Sequence, residues 1–265
     1  MKISIITINR NHKEGLKKTI NSVIAQTYKD FEWIVIDGVS TDGSKVLIEK
    51  FSDYINYWIS EPDKGIFDAM NKGIQVASGE YLLFLNSGDS LSDKHVLHNV
   101  IPLLSGKDFY VGREQRNDHN YIWDRDLSKT KDIFENVISF FIPHQSTFIH
   151  RSIFDTYGLY RTDLQYSSDW YLFYKALILG NATISRIPIL ISIFEGGGIS
   201  YREKEKVRKE QEHLMNELPR VVFLYDFFCS NYDIIKAIRR TKWSFFIFRI
   251  YFFIYRNWLK KTDNI

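Results

Sequence analysis

Short apolar runs alternate along the chain with longer stretches in which apolar residues recur every three or four positions. Residues 2–8, 31–36 and 80–85 are short, apolar and rich in β-branched or aromatic side chains, and polar loops follow them. Such runs are typical of buried β-strands. Residues 14–26 and 67–77 carry apolar side chains at helical spacing. This alternation predicts an α/β fold with a doubly wound, mostly parallel sheet.

Weaker patterns add further elements to this prediction. Residues 105–135 are polar and show no regular pattern, so we assign no strand or helix there. The remaining signals predict helices at 44–51, 169–179 and 201–217 and strands at 57–60 and 144–150.

Three polar clusters follow predicted strands, at residues 9–11, 37–42 and 86–89. Ligands of doubly wound sheets bind beyond the carboxyl ends of the strands. We therefore expect the three clusters to lie together at one edge of the sheet and to form the binding site.

Composition sets limits on the domain organisation. The chain has 265 residues, of which 45% are hydrophobic and 25% charged, as in ordinary globular proteins. This length allows one large α/β domain with a small appendage. We assign residues 1–200 to a catalytic domain and residues 201–265 to a helical C-terminal extension.

Positive charge is concentrated at the C-terminus. Residues 220–265 hold nine Lys or Arg against three Asp, or +6, so the first 219 residues carry −3 of the net +3. A basic, aromatic tail on a slightly acidic body favours an anionic membrane surface as partner over nucleic acid. The single cysteine, Cys229, and an apolar N-terminus without a charged leader or cleavage site predict a cytoplasmic protein.

The tail has a spacing that is typical of an interfacial helix. Residues 243–255 are apolar except for Ser244 and Arg249, and thirteen residues are too few to span a bilayer, which takes about 20. Lys242, Arg249 and Arg256 recur every seven residues and would share one side of a helix. We expect residues 240–260 to attach the protein peripherally to the inner face of the cell membrane. The alternative is packing against the protein body or against a second copy, as in a homo-oligomer.

The segment IDGVSTDGS, residues 36–44, contains Asp37 and Asp42 between glycines. A carboxylate after a strand can accept hydrogen bonds from a base N–H or a ribose hydroxyl. Asp, Gly, Ser and Thr are also ordinary turn formers, so a plain turn remains the alternative.

The predicted helix 67–77 presents polar side chains on one face. Asp68 and Asn71 lie three apart and therefore share a face, while Ala69 and Gly73 form a smooth strip for close packing. The alternative is a capped amphipathic helix whose polar residues are solvated.

Two further carboxylates are candidates for metal binding and for general-base catalysis. Asp89 ends the cluster NSGD and can bind Mg²⁺ or Mn²⁺, which take oxygen ligands. Asp169 starts a predicted helix, whose N-terminus favours the ionised form of a general base. The alternative for Asp89 is a plain strand-ending turn, and the alternative for Asp169 is an ordinary first-turn aspartate of a helix. His144 is a candidate contact for acceptor or phosphate, unless its role is structural.

The loop EGGGIS, residues 195–200, has glycines that permit closure over a nucleotide. It lacks the Gly-Lys-[Ser/Thr] ending of a P-loop. No spacing in the chain fits a zinc site or a Ser-His-Asp triad.

The order of these motifs resembles that of family 2 glycosyltransferases with the GT-A fold. SIITINRN is similar to their opening strand and IVIDGVSTDGS to their nucleotide-binding segment. EPDKGIFDAMNKGI and GEYLLFLNSGD look like a bacterial subgroup that builds exopolysaccharide, colanic-acid-like and O-antigen chains. HQSTFIHRSIFDTYGLY, SSDW and FEGGGIS extend the likeness over residues 2–200.

The resemblance implies an inverting transferase that moves a sugar from a nucleoside-diphosphate sugar, with UDP favoured, onto a lipid-linked or saccharide acceptor. Asp169 would be the catalytic base and Asp89 the ligand of a divalent cation, Mg²⁺ or Mn²⁺. The candidate contacts of the nucleotide sugar are Thr7, Asn9, Asp37, Asp63, Asp68, Asn71, Asn86, Ser87 and His144.

Two departures from the family pattern concern carboxylates. The nucleotide segment has Asp37-Gly38 where the family usually has two adjacent aspartates, and NSGD retains one carboxylate, Asp89. The cation site would then rely on diphosphate oxygens or on a further ligand from residues 195–200. Two alternatives stay open, a sugar-1-phosphate nucleotidyltransferase, whose glycine-rich basic loop is missing here, and a non-catalytic membrane adaptor.

Overall fold

In the part of the chain that the structure describes, nine strands form one mixed sheet. The computed structural model describes residues 2–117, 121–125, 127, 136–137 and 142–217. The chain divides into a first unit, residues 1–207, and a second that begins at Arg208. Apart from the last helix, which extends into the second unit, the features below belong to the first unit.

Four neighbouring parallel strands form the first half of the sheet; three of them are buried along their whole length and the edge strand is partly exposed. They lie in the order β3-β2-β1-β4, so β1 is central, and all seven of its residues are buried. Their bounds are β1 (Ile3–Asn9), β2 (Glu32–Asp37), β3 (Tyr57–Ser60) and β4 (Tyr81–Phe84).

Helices connect these strands and cover the sheet. They present apolar stripes to a core that contains Trp33, Leu16 and Ile48, each fully buried. Their bounds are α1 (Lys13–Ile24), α2 (Ser44–Lys50) and α3 (Ile66–Val76), with a 3₁₀ turn at Ser52–Tyr54.

The second half of the sheet is mixed. Next to β4 the order continues β8-β6-β9-β5, with β7 paired to β6; only the β6–β9 pair is parallel there. The strands are β5 (Ser90–Leu91), β6 (Phe109–Arg116), β7 (Tyr121–Trp123), β8 (Thr147–His150) and β9 (Ile184–Phe194). The helices are α4 (Val96–Val100), α5 (Ser152–Tyr157), α6 (Ser168–Phe173), α7 (Ile199–Arg202) and α8 (Lys204–Glu217), and 3₁₀ turns occupy Ile101–Leu103 and His144–Ser146.

Helix α3 lies close against β1 at Gly73. A Cβ at Gly73 would lie 2.4 Å from Cγ2 of Ile6, so glycine allows this approach. The smooth strip predicted from Ala69 and Gly73 is therefore confirmed. Asn71, on the same helix, is buried and bonds both backbone groups of Tyr160, donating to its carbonyl and accepting from its N–H.

The predicted α/β class and the early strands and helices are confirmed, but the later part differs in four places. The polar stretch after residue 105 contains β6, and the longest strand, β9, was not predicted. A proline and a charged residue interrupt β9, at Pro188 and Arg186, and obscure its pattern. Residues 144–146 form a 3₁₀ turn where a strand was expected, and the helix that contains Asp169 continues as a π-helix over Tyr174–Leu179.

Within the residues that the structure describes, no helix is long and apolar enough to cross a membrane. The segment 240–260, which the sequence assigns to a membrane surface, lies outside those residues.

Candidate active site

Polar residues meet where the parallel strands end. β1 ends at Asn9, β2 at Asp37 and β3 at Ser60, and the turn of residues 86–89 follows β4. Because these strands are parallel neighbours, their carboxyl ends share one edge of the sheet. The predicted meeting of the three clusters at this edge is confirmed.

The carboxylate of Asp37 is fully buried and accepts four hydrogen bonds. Oδ1 accepts from Asn9 Nδ2 at 2.8 Å and Ser40 Oγ at 2.6 Å, and Oδ2 accepts from Ser40 N at 2.9 Å and Ser60 Oγ at 2.7 Å. Burial alone would raise the pKa of Asp37, but these donors lower it below its ordinary value. Asp37 therefore ties three strand ends together as a carboxylate.

Gly38 leaves a space that a neighbouring carboxylate occupies. A Cβ on Gly38 would lie 2.2 Å from Oδ2 of Asp63. The side chain of Asp63 is 6% exposed; its Oδ1 accepts from Gly65 N at 3.0 Å and lies 3.7 Å from Arg10 Nη1. Asp63 thus places a carboxylate where a side chain on residue 38 would lie.

The turn of residues 86–89 is held by helix α1 and strand β1. Thr19 Oγ1 donates to the carbonyl of Asp89 at 2.7 Å and accepts from Gly88 N at 3.1 Å. Ser87 bonds the carbonyl of Ile8 through both its N–H, at 3.1 Å, and its hydroxyl, at 3.0 Å. The turn is therefore preorganised without a ligand.

Asp89 is a buried carboxyl with an elevated pKa. Burial raises its pKa to about 7, and the charge of Glu195 adds to this rise. The Glu195 N–H, 3.1 Å from Asp89 Oδ1, and the charge of His144 act in the opposite direction. A nearby positive charge would favour the ionised form.

A second glycine leaves space for a second carboxylate. Gly88 has φ +104°, and a Cβ there would lie 2.2 Å from Oε2 of Glu195. The Glu195 carboxylate also pairs with Lys18 Nζ and lies 3.2 Å from His12 Nε2. The end of β9 is thereby fixed onto the turn of residues 86–89.

Asp169, His144 and Asn86 form a continuous chain of contacts. Asp169 lies in the first turn of α6, where Oδ1 accepts from Trp170 N at 2.8 Å. Its Oδ2 lies 2.9 Å from His144 Nδ1, and His144 Nε2 lies 3.3 Å from Asn86 Nδ2. Burial tends to lower the pKa of His144, but the hydrogen bond and charge of Asp169 raise it overall, as do the charges of Asp89 and Glu114.

The structure thus brings the predicted site residues into two groups. Asn86, Ser87, Asp89, His144 and Asp169 form the first group, and Asn9, Asp37 and Asp63 form the second.

Three predicted contacts have other partners. Thr7 is buried and accepts from Trp33 Nε1, and Asn71 bonds Tyr160. Asp68 accepts from Lys64 N at the start of its own helix. Their assignment as contacts of the nucleotide sugar stays a prediction.

Glu195, Lys18 and His12 were not predicted individually. Lys18 lies in α1 and His12 directly precedes it, and the sequence pattern there indicated only an amphipathic helix. Their partner Glu195 is 177 residues from Lys18. Glu195 precedes the glycines of the loop of residues 195–200, from which the sequence predicted closure over a nucleotide or a further cation ligand without singling out Glu195. Long-range pairing of this kind leaves no local pattern.

A divalent cation fits this site only if substrate phosphates and water supply most of its ligands. Among the described residues, no three His, Cys, Asp or Glu side chains converge on a point that could hold a metal ion. Asp89 offers one buried carboxyl whose elevated pKa a cation would lower. Mg²⁺ and Mn²⁺ commonly take one or two carboxylates and fill the other positions with substrate phosphates and water. Asp89 fits a cation of that kind.

Comparison with known proteins identifies relatives of this chain. A family model described as glycosyl transferase family 2 matches residues 4–163. An uncharacterized glycosyltransferase of Mycobacterium tuberculosis is 33% identical over 219 residues, 77% of this chain and 79% of the relative. A PGL/p-HBAD biosynthesis glycosyltransferase of Mycobacterium bovis is 30% identical over 173 residues, 63% of this chain and 66% of the relative.

Solved structures share the fold at low sequence identity. Staphylococcus aureus TarS 1–349 in complex with UDP-GlcNAc superposes with a TM-score of 0.64 and 18% identity, over 77% of this chain and 61% of TarS 1–349. Pyrobaculum calidifontis mannosyltransferase PcManGT, in complex with GDP-Man and Mn²⁺, gives a TM-score of 0.57 and 15% identity, over 76% of this chain and 58% of that one. This chain thus spans about three fifths of each structure.

The space at Gly38 generates a stability prediction. Gly38→Ala places a methyl group against Asp63 and should destabilise the fold by about 1–3 kcal/mol, the usual cost of overpacking. In an Asp63→Ala background the same change should cost less, because the colliding oxygen is gone. Urea unfolding of the four proteins measures the difference.

Gly198→Ala is the matched control, since Gly198 has φ −61° and a Cβ there meets nothing within 4 Å. It should leave stability nearly unchanged. An equal cost of Gly38→Ala in both backgrounds would show that Asp63 does not occupy the space.

Proposed function

Because this chain belongs to glycosyl transferase family 2, we propose that it is an inverting enzyme that uses a nucleoside-diphosphate sugar, with UDP-sugars favoured. Its α/β sheet has the GT-A fold, and the protein is a glycosyltransferase. We assign to it, as acceptor, a hydroxyl of a lipid-linked saccharide in bacterial cell-surface polysaccharide synthesis. The relative named as a PGL/p-HBAD biosynthesis glycosyltransferase supports a role in biosynthesis.

The contact chain from Asp169 through His144 to Asn86 is the observation that carries the proposal. It joins the Asp169 carboxylate, which is 20% exposed in the first turn of α6, to the turn that contains Asp89. An inverting transfer needs a base for the acceptor and, on the other side of the anomeric carbon, a place for the diphosphate. Asp169 and Asp89 supply these two functions in neighbouring positions.

Asp169 acts as the general base in this assignment. It takes the proton of the acceptor hydroxyl as that oxygen bonds to the anomeric carbon, and the bond from this carbon to the diphosphate breaks. A single displacement from the opposite face inverts the anomeric configuration. The proton ends on Asp169 and the electron pair of the broken bond on the diphosphate.

Asp63 and Asp89 hold the donor in this proposal. Asp63, in the loop after β3, accepts a hydrogen bond from the nucleobase or ribose. Asp37 holds together the strand ends beside it. Asp89 is the residue that would hold a divalent cation, which when bound supplies positive charge beside the departing diphosphate. The complexes of TarS with UDP-GlcNAc and of PcManGT with GDP-Man and Mn²⁺ support a nucleotide-sugar donor.

A donor screen tests the function. Wild-type protein with Mn²⁺ and UDP-, GDP- or dTDP-sugars should release nucleoside diphosphate from one donor class. Asp169→Asn should lower turnover by roughly 10²–10⁴-fold, the usual contribution of a positioned base, with donor affinity nearly unchanged. Asp89→Ala should remove the dependence of donor affinity on Mn²⁺.

Asp163→Asn is the matched control, since Asp163 is 63% exposed and pairs with Arg161. It should turn over like wild type. Near wild-type turnover by Asp169→Asn would refute its role as base, and an absence of release from every donor would favour the non-catalytic adaptor.

We also propose peripheral membrane attachment through residues 240–260, on the sequence pattern of Lys242, Arg249 and Arg256. The full chain should sediment with vesicles that contain anionic phosphatidylglycerol and bind less to pure phosphatidylcholine, with binding reduced by salt. Deleting residues 240–265 should abolish sedimentation. Equal binding of the deletion variant would contradict the proposal.

A further inference from the structure

His144 is held between two elements of the candidate active site, and its two ring nitrogens have different partners. Nδ1 lies 2.9 Å from Oδ2 of Asp169, and Nε2 lies 3.3 Å from Nδ2 of Asn86. Asp169 is on the side of the acceptor and Asn86 is in the turn that contains Asp89. The ring therefore connects the two halves of the site.

Carboxylate chemistry decides which nitrogen carries the proton. An ionised carboxylate only accepts hydrogen bonds, so the proton between His144 and Asp169 belongs to Nδ1. The Asn86 amide donates to a neutral Nε2 in the orientation observed. Rotating this amide by 180° would let Oδ1, which is buried without a partner, accept from a protonated Nε2. Asn86 supports either charge state of the ring, and Nδ1 keeps its proton in both.

The backbone that carries His144 is fixed from several sides. Ser146 Oγ lies 2.6 Å from Ser192 Oγ of β9 and 3.1 Å from the carbonyl of Arg113 on β6. Thr147 Oγ1 donates to the carbonyl of Pro143 at 2.7 Å. A ring on so constrained a turn can hold its partner's side chain in one rotamer.

We propose that His144 is a positioning residue that orients the carboxylate of Asp169 and keeps it available to the acceptor hydroxyl. This inference rests on the proposed function of Asp169 as the base. The Nδ1–H bond occupies one lone pair of Oδ2 and Trp170 N one of Oδ1, so each oxygen keeps a further lone pair for the acceptor proton. His144 then acts through Asp169 and does not itself touch the sugar.

Two substitutions separate the roles of the ring nitrogens. The amide nitrogen of Asn is two bonds from Cβ, as Nδ1 of His is. The amide nitrogen of Gln is three bonds from Cβ, as Nε2 of His is. His144→Asn can therefore still donate to Asp169, whereas His144→Gln keeps only the contact with Asn86. Both variants remove the imidazole, so a general loss of packing affects them alike.

We expect His144→Gln to lower kcat by roughly 10–100-fold, a part of the contribution of a positioned base, and His144→Asn by less than about threefold. The KM for the donor should change little in both. Equal losses, the reverse order, or no loss would overturn the proposal, as would a loss confined to the KM of the donor.

A spectrum of the wild-type protein tests the same idea without turnover. In ¹H–¹⁵N spectra of histidine-labelled full-length protein, the signals of His144 are those missing from His144→Asn. They should show a protonated Nδ1, and Asp169→Asn should shift them. A bare Nδ1, or signals that do not respond to Asp169→Asn, would overturn the positioning role. Failure of the transferase assignment has a different signature, an absence of transfer by wild-type protein from every donor.

Discussion

The hydrogen bonds of the buried Asp37 carboxylate hold together the edge of the sheet at which β1, β2 and β3 end. A buried charge without a counter-ion is costly unless donors replace its water. Asn9, Ser40 and Ser60 supply four hydrogen bonds and keep the pKa of Asp37 below its ordinary value. Asp37 ends β2, and its donors Asn9 and Ser60 end β1 and β3, so ionised Asp37 fixes the relative positions of the three strands.

Two glycines at this edge have spaces that distant carboxylates fill. A carboxylate oxygen of Asp63 lies 2.2 Å from where a Cβ on Gly38 would be, and one of Glu195 lies 2.2 Å from where a Cβ on Gly88 would be. Gly38 follows Asp37 where the sequence resemblance implies a second aspartate, and Gly88 belongs to NSGD, which retains Asp89 as its single carboxylate. The carboxylates beside these glycines are supplied by Asp63, in the loop after β3, and by Glu195, directly after β9. The departures therefore do not leave the edge without negative charge.

The sequence predicted the central strands well, since buried parallel strands are continuous apolar runs with polar ends. It also predicted that Asn9, Asp37 and Asp89 meet, because parallel strands share an edge. It could not predict β9, which Arg186 and Pro188 interrupt, or the pairing of Glu195 with Lys18. Asp37 shows a further limit: its motif indicated a ligand contact, which stays a prediction, and did not indicate that the carboxylate is buried and accepts from Asn9, Ser40 and Ser60. Contacts between distant segments decide such cases.

We propose above all that Asp63, in the loop after β3, supplies the carboxylate that holds the nucleoside next to Gly38. Titration calorimetry with UDP and GDP on variants that move this charge tests it most directly. Asp63→Gly should weaken binding of the preferred nucleotide by roughly tenfold or more, since a hydrogen bond to a charged group contributes about 1.5–3 kcal/mol. Adding Gly38→Asp should restore most of the affinity by placing a carboxylate in the same space. Unchanged affinity of Asp63→Gly, or no recovery in the double variant, would contradict the account.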